Sequence, residues 1–331
     1  MKKFLINKIL RRVRGIRKKG DSGWKEIVIF IHGISLKGIY MRHDEYYSGL
    51  HHLVQKEQKK LRGEEPSKGK TSYWPEKYIG IEWGWGTGEP QQSIDRFLSR
   101  AENWIAEGVL ETVERQRDWT LNPMRLATFG MREMILYGLT SIFYYALEEG
   151  EKSVRTSVFK KILSELKNTG SSFENLSMTF LCHSAGSVIA HDFLFALFNS
   201  QKVTQSEAFL PGLRELRKKA QKGRIRLRRF YTFGSPLTPL LLRSNSVVKR
   251  FAEENTLDPK EIGILPFRDL QDPRWINFWE KDDILSFPIG PLYGNPNCIE
   301  DYHPGIPGFL SKAHSAYWES EKLARRIAET Y

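Results

Sequence analysis

Residues 178–187, Met178-Thr-Phe-Leu-Cys-His-Ser-Ala-Gly-Ser187, constrain this chain most. An apolar run ends at His183-Ser184-Ala185-Gly186, and a helical pattern follows at once. The segment therefore reads as strand, sharp turn and helix, with a serine at the turn. Such a turn lifts a hydroxyl clear of a sheet toward a base and a pair of backbone donors. It needs small flanking residues, because a side chain there would meet the neighbouring strand. Ala185 and Gly186 meet that demand, while Cys182 stands where the G-x-S-x-G pattern has its first glycine. The match is C-x-S-x-G. The plainer reading is a strand-to-helix turn in which Ser184 merely caps the helix.

Elsewhere short apolar runs alternate with helical patterns. Glu26 to Gly33, Tyr78 to Trp83, Arg229 to Gly234 and Trp275 to Trp279 read as strands. Residues 41–65, 92–168, 188–198 and 315–330 read as helical, and the basic stretch 213–227 as a lead-in to a strand. Strands that are apolar throughout favour a mostly parallel central sheet with helices on both faces, an α/β fold. Residues 92–168 are too long for a simple crossover, so a helical insertion capping the site is expected there. Within it, Met134 to Leu147 is uncharged but at fourteen residues is too short to cross a bilayer.

A chain of 331 residues accommodates one such domain over 25–331, preceded by a basic arm at 1–24. The net charge of +12 is concentrated. Nine Lys and Arg lie before residue 20, and a second basic cluster spans Arg214 to Arg229. In the arm Phe4, Leu5, Ile9, Leu10, Val13 and Ile16 recur at helical spacing among the charges, which is not the pattern of a secretory signal. It suits a helix lying on an anionic membrane surface through residues 1–19, and equally a basic arm with no specific role. Aromatics are not interleaved with the basic runs, so specific nucleic-acid binding is not expected. Two cysteines, Cys182 and Cys298, make no disulfide framework and point to a reducing, cytoplasmic compartment, with peripheral contact at the inner membrane surface through the arm.

In an open α/β sheet ligands collect at the carboxyl ends of the strands. The first strand ends in His32-Gly33-Ile34, where a backbone N–H is able to face a developing oxyanion. Ile34 is the expected donor, with Gly33 as the alternative, and Ala185 supplies the second. Beyond the strand at 275–279, Asp282 and Asp283 are candidates to orient a histidine, and the apolar Ile284, Leu285 and Phe287 favour Asp283. His314 precedes the closing helix, and His303, beside Pro304, is its competitor.

Taken together, Val28 to Gly33, Phe180 to Asp192, Phe230 to Leu237, Trp275 to Asp283 and Ala313 to Trp318 resemble the α/β-hydrolase superfamily, among its lipase- and esterase-like serine hydrolases. The order Ser, Asp, His agrees with that superfamily. The resemblance implies Ser184 as nucleophile, His314 as general base and acid, and Asp283 as its orienting partner. It further implies two-step acyl transfer on a small-molecule or lipid ester, with no cofactor and no metal. It gives Gly234 to Leu237 a structural role at the pocket floor. The alternative is a non-catalytic binding protein on the same scaffold, associating with an anionic surface.

Three other signals are set aside. His43, Asp44, His51 and His52 complete no metal-ligand set. Gly84 to Gly88 lacks the lysine of a phosphate-binding loop, and Trp83 and Trp85 are expected near the pocket mouth or under the cap. Tyr137, Phe143, Tyr144 and Tyr145 read as helix packing before they read as an acyl pocket.

Overall fold

A computed structural model describes residues 23–33, 43–62, 74–83, 148–169, 175–199, 210–265, 273–294, 296–308 and 311–331. Residues 1–22 of the basic arm, Ile34, Trp85 and residues 92–147 of the expected insertion lie outside the described residues. The described part of that region is one helix.

The strands are β1 (Lys25–Ile31), β2 (Tyr78–Ile81), β3 (Leu176–His183), β4 (Ile225–Phe233), β5 (Trp275–Phe278) and β6 (Ile299–Tyr302). Between them run α1 (His43–Arg62), α2 (Glu148–Asn168), α3 (Ala185–Phe198), α4 (Pro211–Gln221), α5 (Leu237–Leu241) and α6 (Asn245–Glu254). Short α7 (Ser311–Ser315) and α8 (Glu321–Thr330) follow. Every pairing is parallel, in the order β2-β1-β3-β4-β5-β6. The chain winds outward from β1 on one side and from β3 on the other, so the order reverses between them. Such a reversal opens a crevice at the carboxyl ends of the strands.

Both faces of the sheet are covered because both sets of alternate side chains are apolar. Ile27, Ile29, Ile31, Phe180 and Phe230 pack under α2, α3 and α4, with Phe159, Phe193 and Leu216 among the covering residues. Val28, Phe30, Leu181, Phe233 and Phe278 pack under α1 and α8, against Tyr47, Leu323 and Ile327. Complete burial of one such side chain contributes about 1.5–3 kcal/mol. In α8 the apolar positions 323, 324, 327 and 328 make a single stripe, and the Ser320 hydroxyl accepts from Leu323 N–H (3.2 Å) to start the helix.

Three sequence expectations are corrected. The stretch 213–227 contains helix α4, which buries Leu213 and Leu216, and β4 begins at Ile225. The closing segment is two helices and a 3-10 turn rather than one helix, so His314 sits on α7 and not in a loop. Ile299–Tyr302 is a strand that the residue pattern did not mark, since Ile299 alone of its four residues is buried.

Candidate active site

Register brings the first two pieces together. Ile31 pairs with Cys182, so the next residues of β1 and β3, His32-Gly33 and His183-Ser184, lie side by side at the crevice. Ser184 has φ 52° and ψ −133°, a conformation that L-residues rarely adopt and that costs about 1–3 kcal/mol. The turn is held by Ser184 N–H donating to Phe233 O (3.0 Å) and Ser187 N–H to Ser184 O (3.0 Å). It is also held by the missing side chains around it. A Cβ on Gly186 would run into the carbonyl oxygens of His32 and Ile31, and a Cβ on Gly33 would lie 2.5 Å from Ser184 Cβ. Ser184 heads α3 but makes no side-chain capping bond, so its hydroxyl is not spent on the helix. Ala185 N–H, in the first turn of α3, has no partner four residues back and carries the positive end of the helix dipole.

The second piece comes from the far side of the sheet. Asp283 is buried, its Oδ1 accepts from Leu285 N–H (3.1 Å), and its two oxygens stand 3.0 and 2.9 Å from His314 Nδ1. A carboxylate only accepts, so Nδ1 of His314 carries a proton and donates to Asp283, which leaves Nε2 on the side away from Asp283. Asp282 is exposed. His303 pairs with Glu280 (3.1 Å) on a separate loop. Gly234, at φ 58°, closes the pair from below. A Cβ there would stand 3.1 Å from His314 Nδ1 and 3.2 Å from Asp283 Oδ2. Ser235 is buried and its carbonyl accepts from Phe287 N–H (3.1 Å), which ties the Gly234 turn to the loop carrying Asp283.

His183 connects the two pieces. Its Nε2–H donates to the backbone carbonyl of His314 (2.7 Å), across 131 positions of sequence, and the two rings are 4.6 Å apart. Burial, then the nearby His314, push its pKa well below the usual histidine range, so the ring is neutral. The sequence marks His183 only as part of the turn, because its partner is a backbone group supplied by the fold. Among the described residues no hydrogen bond joins Ser184 Oγ to His314. Catalytic hydrogen bonds are commonly long in a free site and tighten when substrate is bound.

His32 lines the crevice on the other side. Its Nε2 accepts from Trp83 N–H (3.1 Å), its carbonyl accepts from Trp83 Nε1–H (2.6 Å), and its ring stacks on His43 at 3.4 Å. Burial, then His43, lower its pKa to about 3. Trp83 thus packs against His32 at the carboxyl end of β1. His51 accepts from Trp74 Nε1–H (2.8 Å) and His52 bonds Ser48 O (2.7 Å), so these histidines point to separate partners. Among the described residues no cluster of His, Cys, Asp or Glu has metal-ligand geometry, and no helix is long and apolar enough to cross a membrane. Cys182 is fully buried and packs in the core. Comparison of the chain with protein-family models, curated proteins and solved structures gives no match.

Proposed function

We propose that the protein is a serine hydrolase of α/β-hydrolase type, cleaving a carboxylic ester, lipid esters included, through Ser184. The observation that carries this reading is a strained serine at the sheet's topological switch point, joined through His183 to His314 and its buried partner Asp283. The strand order and the chain order Ser184, Asp283, His314 support it further.

In the proposed reaction His314 Nε2 takes the hydroxyl proton as Ser184 Oγ attacks the ester carbonyl. Asp283 holds the imidazole in the needed tautomer and stabilises the imidazolium. The oxyanion rests on Ala185 N–H and, on the β1 side, on the N–H of Ile34. The tetrahedral intermediate collapses as His314 returns the proton to the leaving alkoxide, giving an acyl-serine. Water, deprotonated by His314, then releases the acid and restores Ser184. Cys182 fits this scheme as a small packing residue beside the turn. Two free cysteines accord with a reducing, cytoplasmic location, and the arm at 1–19 is the proposed membrane contact.

The test is hydrolysis of p-nitrophenyl esters from acetyl to palmitoyl, by wild type and Ser184→Ala, with fluorophosphonate labelling in parallel. Turnover and labelling that both vanish in the variant are expected. Unchanged turnover in Ser184→Ala overturns the assignment. A second reading, a non-catalytic binding protein, draws on the missing Ser184–His314 hydrogen bond. It is favoured if a folded wild type neither turns over any ester nor takes the label.

A further inference from the structure

At the end of the sheet opposite Ser184, β1, β3 and β4 start side by side, with Lys25, Leu176 and Ile225 in register. The strand starts and the last turn of α4 gather cations there. Lys25, Lys218, Lys222 and Arg224 are exposed, and Arg226 and Arg228 are half-buried. The backbone beneath them is fixed, since Leu176 N–H donates to Arg224 O (2.8 Å) and Arg224 N–H to Lys219 O (2.9 Å). Two nearby carboxylates are already engaged, Glu26 by Arg228 and Glu215 by Lys219 (3.7 Å). Arg274 packs behind, donating to Arg228 O (2.8 Å), and burial followed by the charges of Arg229, Arg226 and Arg228 depresses its pKa. The excess of cations is thus built into the ordered fold, where it raises a positive potential over this end. The Arg226 guanidinium lies 4.2 Å over the ring of Trp24, the residue at which the basic arm joins β1.

We propose that this end of the sheet is a cationic platform that docks on an acidic phospholipid bilayer, with Ser184 turned toward the water. The platform's charge complements acidic headgroups. A bilayer is favoured over nucleic acid because the arm that continues from Trp24 carries Phe4, Leu5, Ile9, Leu10, Val13 and Ile16, which a bilayer interface takes up and a phosphate backbone does not. Eight residues of β3, at about 3.3 Å each, separate the platform from Ser184 by about 25 Å. On the hydrolase reading, on which this last point rests, the substrate reaches Ser184 from solution and not from the docked bilayer.

The experiment is co-sedimentation of the full chain with phosphatidylcholine vesicles, with and without phosphatidylserine. Wild type is compared with Lys218→Gln/Lys222→Gln/Arg224→Gln and with a variant lacking residues 2–19. Binding only to the acidic vesicles is expected. Each basic residue at such a surface is worth about five-fold in partitioning, so the triple variant should bind about 100-fold more weakly. The same triple change should weaken binding again when residues 2–19 are absent. Wild-type binding by the triple variant, or tighter binding to duplex DNA than to acidic vesicles at about 0.1 M salt, overturns the platform. A water-soluble fluorophosphonate should label Ser184 equally fast in free and vesicle-bound protein. Labelling lost only on docking overturns the orientation. Labelling absent from the free protein strikes the hydrolase reading and leaves the docking result standing.

Discussion

At the carboxyl end of the sheet, Ser184, His183 and His32 are buried, the two histidines are neutral, and a side chain on Gly33 or Gly186 would collide with Ser184 or with the His32 carbonyl. At the amino end, Lys25, Lys218, Lys222 and Arg224 are exposed cationic residues. The same six strands support both. On the proposed hydrolase reading, chemistry on a single atom requires geometry, so tolerance at one end is narrow. Attraction to a charged surface sums over many groups, so tolerance at the other end is wide. Substitutions should therefore be severe and local above, graded and additive below.

The sharpest way to break this contrast is Ser184→Ala, expected to lower kcat by about a million-fold with the urea midpoint nearly unchanged. Gly234→Ala should follow at about 100-fold in kcat, since it forces a Cβ against His314 and Asp283 at a positive φ. Steady-state kinetics at saturating ester reads both. His183→Phe keeps an aromatic ring but leaves the His314 carbonyl without its donor. It should cost about ten-fold in kcat with little change in KM, and His183→Gln, which restores a donor, should recover part of the loss.

Acid should also divide the two ends. His183 and His32 titrate below the ordinary 6.5, His32 at about 3. The unfolded chain therefore takes up protons first as pH falls. Stability is full above about pH 6.5 and is lost progressively below it, at up to about 1.4 kcal/mol per pH unit for each such histidine. Urea midpoints measured from pH 7 to pH 4 check this, and His183→Phe should flatten the slope by one proton. Lys222→Gln is the smallest effect, within about 0.5 kcal/mol at any of these pH values. A large destabilisation from it would mean that the amino end is as tightly fitted as the carboxyl end.

Much of the upper end is legible in the residues. β1 is apolar from Ile27 to Ile31 and β3 is dominated by apolar residues, and Gly33 and Gly186 sit where a side chain would collide with Ser184 or with the His32 and Ile31 carbonyls. Asp283 rather than Asp282 follows from the apolar residues after it, and it is Asp283 that is buried against His314. The short edge strand β6 is not legible, because one buried isoleucine makes no period. Helix α4 is hidden by its own charge: Leu213 and Leu216 hold it to the core while Arg214, Glu215 and Lys218 face water.

The sequence by itself determined the alternation of strands and helices, the serine turn and the order of the candidate triad. Each of these follows from local periodicity or from the steric demands of a few adjacent residues. Only the tertiary structure decided that His183 holds the backbone of His314, that Gly234 supports the His314–Asp283 pair, and that the Arg-rich start of β4 faces away from Ser184. Those relations join residues far apart in the chain through backbone groups and strand direction, and neither leaves a trace in residue type.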